Sequence, residues 1–260
     1  MVFRTSILFF LLVRLSTSEG WSQKFSLGAK AGILAAYTNF ADETVKSRSK
    51  VLPKLGFSVA GIIDFPLKKK YSFQTELGLS QQGRVISFNS DQQTNNSTYY
   101  FADMAMNLRK TFKLKIKENV ATDWFVNIGP NVNYWIAGKG RIETNFGIPQ
   151  DYTIEFDQTG TAYDKMYVNN STRWLFGLNL GFGFSANTRK NQKVITEIRL
   201  TWGQTFLGTN TSAFWNNISF QGQESLKCNL KVLNFSVAYV FDKDLRLAKK
   251  GKTTLKKNQR

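Results

Sequence analysis

The sequence predicts an all-β chain: an eight-stranded antiparallel up-and-down transmembrane β-barrel. Three observations lead there. Apolar residues recur with period two along nearly the whole chain, and no stretch sustains an i, i+3, i+4 stripe. Each alternating stretch has one bulky apolar face and one small or polar face. Long and short connections alternate, which places them at opposite ends of a meander.

Eight segments carry the alternation. The first, 24–40, sets Phe25, Leu27, Ala29, Ala31, Ile33, Ala35 and Tyr37 on one side. The second, 53–65, groups Leu55, Phe57, Val59, Gly61, Ile63 and Phe65, and the third, 71–88, opens with Tyr71, Phe73, Thr75, Leu77 and Leu79. The fourth, 98–112, aligns Tyr100, Ala102, Met104, Met106 and Leu108. The fifth, 124–137, aligns Trp124, Val126, Ile128, Pro130, Val132, Tyr134 and Ile136. Pro130 has no N–H to give a ladder, so a bulge or kink is expected there. The sixth, RWLFGLNLGFGFSA at 173–186, has the sharpest alternation: Trp174, Phe176, Leu178, Leu180, Phe182 and Phe184 oppose Arg173, Leu175, Gly177, Asn179, Gly181, Gly183 and Ser185. The seventh, 194–207, and the eighth, 230–241, follow with Val194, Ile198, Leu200 and Trp202, then Leu233, Phe235, Val237, Tyr239 and Phe241. The connections at 66–70, 113–123 and 187–193 are the shorter set. Those at 39–52, 89–97, 138–172 and 208–229 are longer on the whole, and the third has room for an extra hairpin near Tyr152 to Phe156.

The small face decides which side is outside. It holds Gly28, Gly32, Gly56, Ser58, Ala60, Gly78, Ser80, Gly177, Gly181, Gly183, Ser236 and Ala238 among others. A water-facing surface has no reason to avoid long polar side chains, whereas a narrow lumen does. The small face is therefore expected inside and the bulky face toward lipid. Charges fall on the inner face in balance: Lys30, Arg109, Arg173 and Arg199 against Asp64, Glu76, Asp103 and Glu197. Paired, they would fill the lumen and leave no wide diffusion pore. Aromatics near strand ends, Tyr37, Phe65, Tyr71, Tyr100, Trp124, Tyr134, Trp174 and Trp202, are the candidates for interfacial girdles.

The 260 residues carry a formal net charge of +17 and are 42% hydrophobic. Residues 1–22 have the form of an export leader: Arg4, then an apolar run from Ile7 to Val13 too short to span a bilayer, then small and polar residues. Cleavage after Ser22 and after Ser18 both fit. The expected division is a leader over 1–22, a barrel over 23–242 and a basic periplasmic tail, solvated and disordered, over 243–260. An exported chain of this kind implies outer-membrane lipid as partner and no nucleic acid; the short-turn lysines and the tail would face anionic headgroups or other envelope components. With no histidine and Cys228 as the one cysteine, His-based triads, an internal disulfide and cysteine metal sites are excluded. No catalytic, metal or cofactor site is expected.

Several stretches resemble the PorT-like outer-membrane β-barrel family common in Bacteroidetes: KFSLGAKAGI, GFSVAGIIDFPLKKKYSFQTELGLSQQG, FADMAMNLRKTF, VNIGPNVNYWIAG and VLNFSVAYVF. The resemblance spans roughly Lys24 to Phe241. Asp103 and Arg109 occupy the family's charged positions in the middle strand, and Ala105 stands where its proline is usual. The resemblance implies an outer membrane of a Gram-negative bacterium, and one branch implies protein secretion, hence envelope or secretion-machinery proteins as partners. The final NFSVAYVF is similar to the assembly signal of such barrels. The expected role is structural, adhesive or assembly-associated, with a narrow channel or lipid-binding barrel as alternative and a membrane-embedded hydrolase or acyltransferase behind it. The loop FWNNISFQGQ, with Phe214, Trp215 and Phe220, is the expected partner contact.

Overall fold

The computed structural model describes residues 24–67, 70–88, 93–117, 120–144, 148–157, 160, 162–189, 191–211, 213–216 and 221–244. The leader, the tail from 245 onward, Phe220 and the Lys68–Lys69 pair lie outside the described residues. Thirteen strands join one sheet. They are β1 (Lys24–Phe40), β2 (Ser49–Leu52), β3 (Lys54–Pro66), β4 (Tyr71–Phe88), β5 (Gln93–Lys117), β6 (Val120–Thr144), β7 (Gln150–Phe156), β8 (Lys165–Val168), β9 (Trp174–Arg189), β10 (Gln192–Gly203), β11 (Ala213–Asn216), β12 (Gln221–Glu224) and β13 (Cys228–Asp244).

Eight of these close a ring. β1 pairs β3, then β4, β5, β6, β9, β10 and β13 follow, and β13 returns to β1. Every pairing in the ring is antiparallel, and closure leaves it no free edge along the paired stretches. Each of the eight predicted segments falls mainly on one ring strand, and the seventh runs on past the end of β10 at Gly203. The other strands sit at the long-connection end. There β6 forks: up to Tyr134 it pairs β9, and from Lys139 it pairs β7 instead. A flap β7-β8-β11-β12 continues from the fork, and its β7–β8 pairing is parallel, the exception in an otherwise antiparallel sheet.

Four expectations are corrected. First, β5 and β6 run well past their predicted ends, each for 25 residues. The polar QTNNS at the start of β5 reads as turn sequence, but Asn95 and Ser97 are buried and hydrogen-bonded inside the flap. Second, Pro130 brings no register-shifting bulge. The β5–β6 ladder omits the pairs opposite Pro130 and Gly129 and resumes in the same register, while Pro130 keeps its place opposite Leu178 on β9. The register shift lies higher, between Tyr100 and Phe101, where Ala137 and Trp135 are the successive partners. Third, the 39–52 connection holds a helix, α1 (Glu43–Arg48). Asp42 caps it, accepting from the Thr44 N–H at 2.9 Å, with Glu43 in the first turn and Lys46 and Arg48 in the last. Six residues are too few to print a helical stripe. Fourth, Phe214 and Trp215 are not in a free loop: β11 pairs both β8 and β12.

The core has two distinct settings. Around the ring's middle the bulky face points outward, with Leu77, Leu79, Ile128, Trp174, Phe176, Leu178, Leu180, Phe182, Leu200, Phe235 and Val237 all exposed on the isolated chain. At the long-connection end the apolar residues turn inward. Phe40, Ile86, Tyr99, Phe101, Trp135, Tyr152, Met166, Val168, Leu226 and Cys228 belong to one buried cluster drawn from ring and flap alike. A smaller cluster, Ile62, Phe125, Ile195, Ala238 and Val240, sits nearer the short turns.

Candidate functional site

The inner face of the ring carries a connected set of charges. Lys30 on β1 donates from Nζ to Glu76 Oε1 at 3.1 Å and to Glu197 Oε2 at 2.8 Å. Arg199 on β10 bridges the same two carboxylates. Its Nη2 and Nη1 reach Glu76 at 2.6 and 2.8 Å, and its Nε reaches Glu197 Oε1 at 2.7 Å. All four side chains are at most 9% exposed. Fork-to-carboxylate geometry of this kind gives strong, directional bonds. Asn127 adds a donor to Glu197 at 3.0 Å, and Gln74 one to Glu76 at 2.9 Å.

These residues come from strands that are not neighbours. Lys30 and Glu76 stand on β1 and β4 with β3 between, and opposite Lys30 on β3 is Ala60. Glu197 and Arg199 stand on β10, and the β13 residue opposite Glu197 is Ser236. Small inward residues on the intervening strands leave the long side chains room to meet. Gly181 shows how tight the fit is: a Cβ there would lie 2.3 Å from Asn127 Oδ1 and 2.7 Å from Glu197 Oε1. At Gly183 it would meet the Phe125 ring at 2.5 Å.

The eight expected lumen charges divide three ways. Lys30, Glu76, Glu197 and Arg199 form the quartet. Arg109 and Asp64 form a looser pair at 3.7 Å, joined to the quartet because Arg109 donates to Gln74. The Arg109 guanidinium also lies 4.0 Å from the Phe125 ring centroid. Asp103 and Arg173 stay apart. Asp103 makes no ion pair among the described residues, though it lines one small polar cavity with Lys30, Glu76 and Arg199 of the quartet and with Ser80 and Asn234. Arg173 is not a lumen charge. It stands at the β6 fork, donating from Nε to the Trp135 carbonyl at 3.1 Å, with its guanidinium against Tyr134 and Phe156. It sits one residue before β9 begins, where strand parity no longer fixes a direction.

A second charge centre was not foreseen. Arg84 on β4 is fully buried and paired with Glu224 of β12. Asn95 donates to Glu224 Oε2 at 2.6 Å, Tyr152 donates to Asn95 Oδ1 at 2.8 Å, and Ser97 shares a 2.8 Å bond with Tyr152. Burial pushes the Glu224 carboxyl above its ordinary value, and Arg84 and Asn95 pull it back. Burial likewise pushes the Cys228 thiol up to about 11. Arg84 has the inward parity of Glu76, so it was legible on β4. Glu224 lies in a connection, and nothing in the sequence places it there. Near the short turns Lys193 and Asp242 add a further pair at 2.8 Å, also unforeseen. Among the described residues, no group of three or more Cys, Asp or Glu is placed to hold a metal ion.

Chemically, the arrangement is a filling. The quartet's carboxylates and cations satisfy one another across the lumen, and the apolar cluster under the flap lies beyond them. The expected contact residues Phe214 and Trp215 are placed by their backbone on β11, between β8 and β12.

Solved structures similar to this chain include proteins described as outer membrane proteins. Ail, the attachment invasion locus protein of Yersinia pestis, is 11% identical, over 84% of this chain and 98% of its own, at a TM-score of 0.35. OprG from Pseudomonas aeruginosa is 8% identical, over 86% and 97%, at 0.49. The outer membrane protease OmpT from Escherichia coli is 9% identical, over 88% and 100%, at 0.34. No curated protein matches the chain. The family described as outer membrane protein beta-barrel domain matches residues 21–207, and the chain belongs to it.

Proposed function

We propose that the chain is an eight-stranded transmembrane β-barrel with a structural, adhesive or assembly role, carrying no catalytic site and no open pore. One observation carries this reading: the ring's bulky apolar face points outward while charges occupy its interior. A soluble ring would do the opposite. The belt also has the right height. Trp174 to Phe184 is ten residue steps along β9. At about 3.3 Å per step and a tilt of roughly 40° that is about 25 Å, the height of an outer-membrane apolar band.

Aromatics frame the belt. Phe112 stacks on Trp124 with centroids 4.1 Å apart near the short turns, and Tyr134 meets Trp174 at 4.8 Å near the fork. Lys231 stands 4.9 Å over the Trp202 ring, an amphipathic arrangement suited to a headgroup region. The short turns would then face the periplasm, the flap and α1 the outside. Export by the leader at 1–22, the Gram-negative envelope and kinship with the PorT-like branch belong to the same proposal. So do recognition by the flap and partnership with envelope or secretion proteins.

The test is refolding of the full chain into phospholipid vesicles, followed by gel migration before and after boiling. A folded barrel migrates differently in the two lanes. Planar-bilayer recording of the same sample should show no steady conductance; identical migration together with full solubility without detergent would end the reading. Co-purification with other envelope proteins tests the assembly role.

A further inference from the structure

Above the belt the outer face of β4, β5 and β6 carries a trough lined by Lys54, Lys139 and Arg141 and by Glu143, Asp151 and Asp164, which the charge network inside the ring does not use. Lys54 opens β3 directly after Pro53. Its side chain lies across Gly83, where an added Cβ would stand 2.8 Å from the Lys54 Cδ. The ammonium reaches Asn96 and Thr98 on β5, the latter at 2.6 Å. Opposite Thr98 on β6 stands Lys139, exposed. Among the described residues neither lysine has a carboxylate within ion-pair distance.

Two of the nearby acids are paired with other cations. Asp151 holds Arg141 at 2.6 Å, one row further from the belt, and Glu155 holds Lys165 at 2.7 Å. Glu143 lies two residues beyond Arg141 on β6, and Asp164 on the connection before β8 completes the lining. Lys54 and Lys139 stand side by side at Thr98, the belt end of the trough. Burial and Lys139 together hold the Lys54 ammonium below the ordinary lysine value. Thr98 accepts from Lys54, which leaves its own O–H to donate.

Resting on the membrane reading, we infer that Lys54, Thr98 and Lys139 bind the phosphate of a lipid headgroup in the outward-facing leaflet. Height argues for a lipid rather than free phosphate. Thr98 is two residues above Tyr100, and Leu79 and Ile136 lie exposed just below. Two steps along a strand are about 7 Å, so the row sits at headgroup level with an apolar wall for acyl chains beneath.

The full chain is placed in nanodiscs of phosphatidylcholine with a minority of phosphatidic acid, and retained lipids are counted by native mass spectrometry. Wild type should retain phosphatidic acid over phosphatidylcholine by about 10-fold or more, the scale expected of two lysines near a surface. K54Q/K139Q should bring the ratio near one, K139Q alone should lower it by about 3-fold, and K50Q on β2 should leave it unchanged. Equal enrichment in the double and single variants overturns the inference. Displacement of the lipid by millimolar inorganic phosphate overturns its lipid half. Heat-shifted migration is read on every sample: a wild type that fails to shift breaks the membrane reading, while shifted samples without lipid preference break only this site.

Discussion

Two stretches of the same wall are built in opposite senses. At belt height β5 and β6 point Met104, Ile128 and Val126 outward and Arg109, Asn127 and Asn131 inward. Above the fork the same strands point Asn96, Lys139 and Arg141 outward and Tyr99, Phe101 and Trp135 inward. Every wall needs one apolar side, and its surroundings choose which. Lipid takes the apolar side below, so the interior there must be polar and mutually satisfied. Water takes the polar side above, so that part needs a core, and the flap supplies its other half. The lower region holds most of its charges in small groups of ions, the upper by packing around one buried ion pair.

The comparison breaks most visibly where each region is dense. Trp135→Ala should cost about 3–5 kcal/mol, because it empties the centre of the aromatic cluster. Limited proteolysis of the flap should accelerate while the heat-shifted band persists, since the belt does not depend on that core. A matching cost, about 3–5 kcal/mol, is expected for Glu197→Leu, which strands Lys30 and Arg199 on one carboxylate. Replacing the whole quartet by apolar residues of similar volume should cost far less than that single change. Urea titration in vesicles separates the two. If the quartet variant unfolds as readily as Glu197→Leu, the charges do more than satisfy each other.

Smaller perturbations sharpen the boundary. Leu180→Arg on the outward face should cost about 2–4 kcal/mol in a bilayer. The same change at an outward position above the fork, such as Thr153→Arg, should be close to neutral. Gly181→Ala should cost about 1–3 kcal/mol by forcing Asn127 and Glu197 aside. Least disruptive is a probe of Cys228. Buried and neutral, its thiol should resist maleimide at pH 8 until the flap end unfolds, then react completely. Because its folded value is raised, its effect on stability is lost as pH climbs from the ordinary thiol range toward about 11. Rapid labelling of the folded protein would mean the upper core opens on its own.

Much of the lower region was legible. Period-two alternation places Phe176, Leu178 and Leu180 on one side and Gly177, Asn179 and Gly181 on the other whatever the neighbours are. The same parity put Lys30, Glu76, Glu197 and Arg199 inside, and Gln74 and Asn127 could have been added by it. The upper region was not legible, because there the parity itself changes hands. The register shift at Tyr100 and Phe101 carries Gly138, Gly140 and Ile142 to the inner face, although unbroken alternation from Tyr134 and Ile136 would have sent them outward. Phe214 and Trp215, which look like an exposed loop, are strand residues because β8 and β12 flank them.

By itself, then, the sequence determined the strands of the belt, the sign of each face and the four charges of the quartet, since all three follow from local alternation. The tertiary structure alone decided which charges meet, where Arg173 goes and how Glu224 finds Arg84. Those pairings join segments far apart in the chain. They depend on closure, on a bulge and on a fork, none of which leaves a local trace.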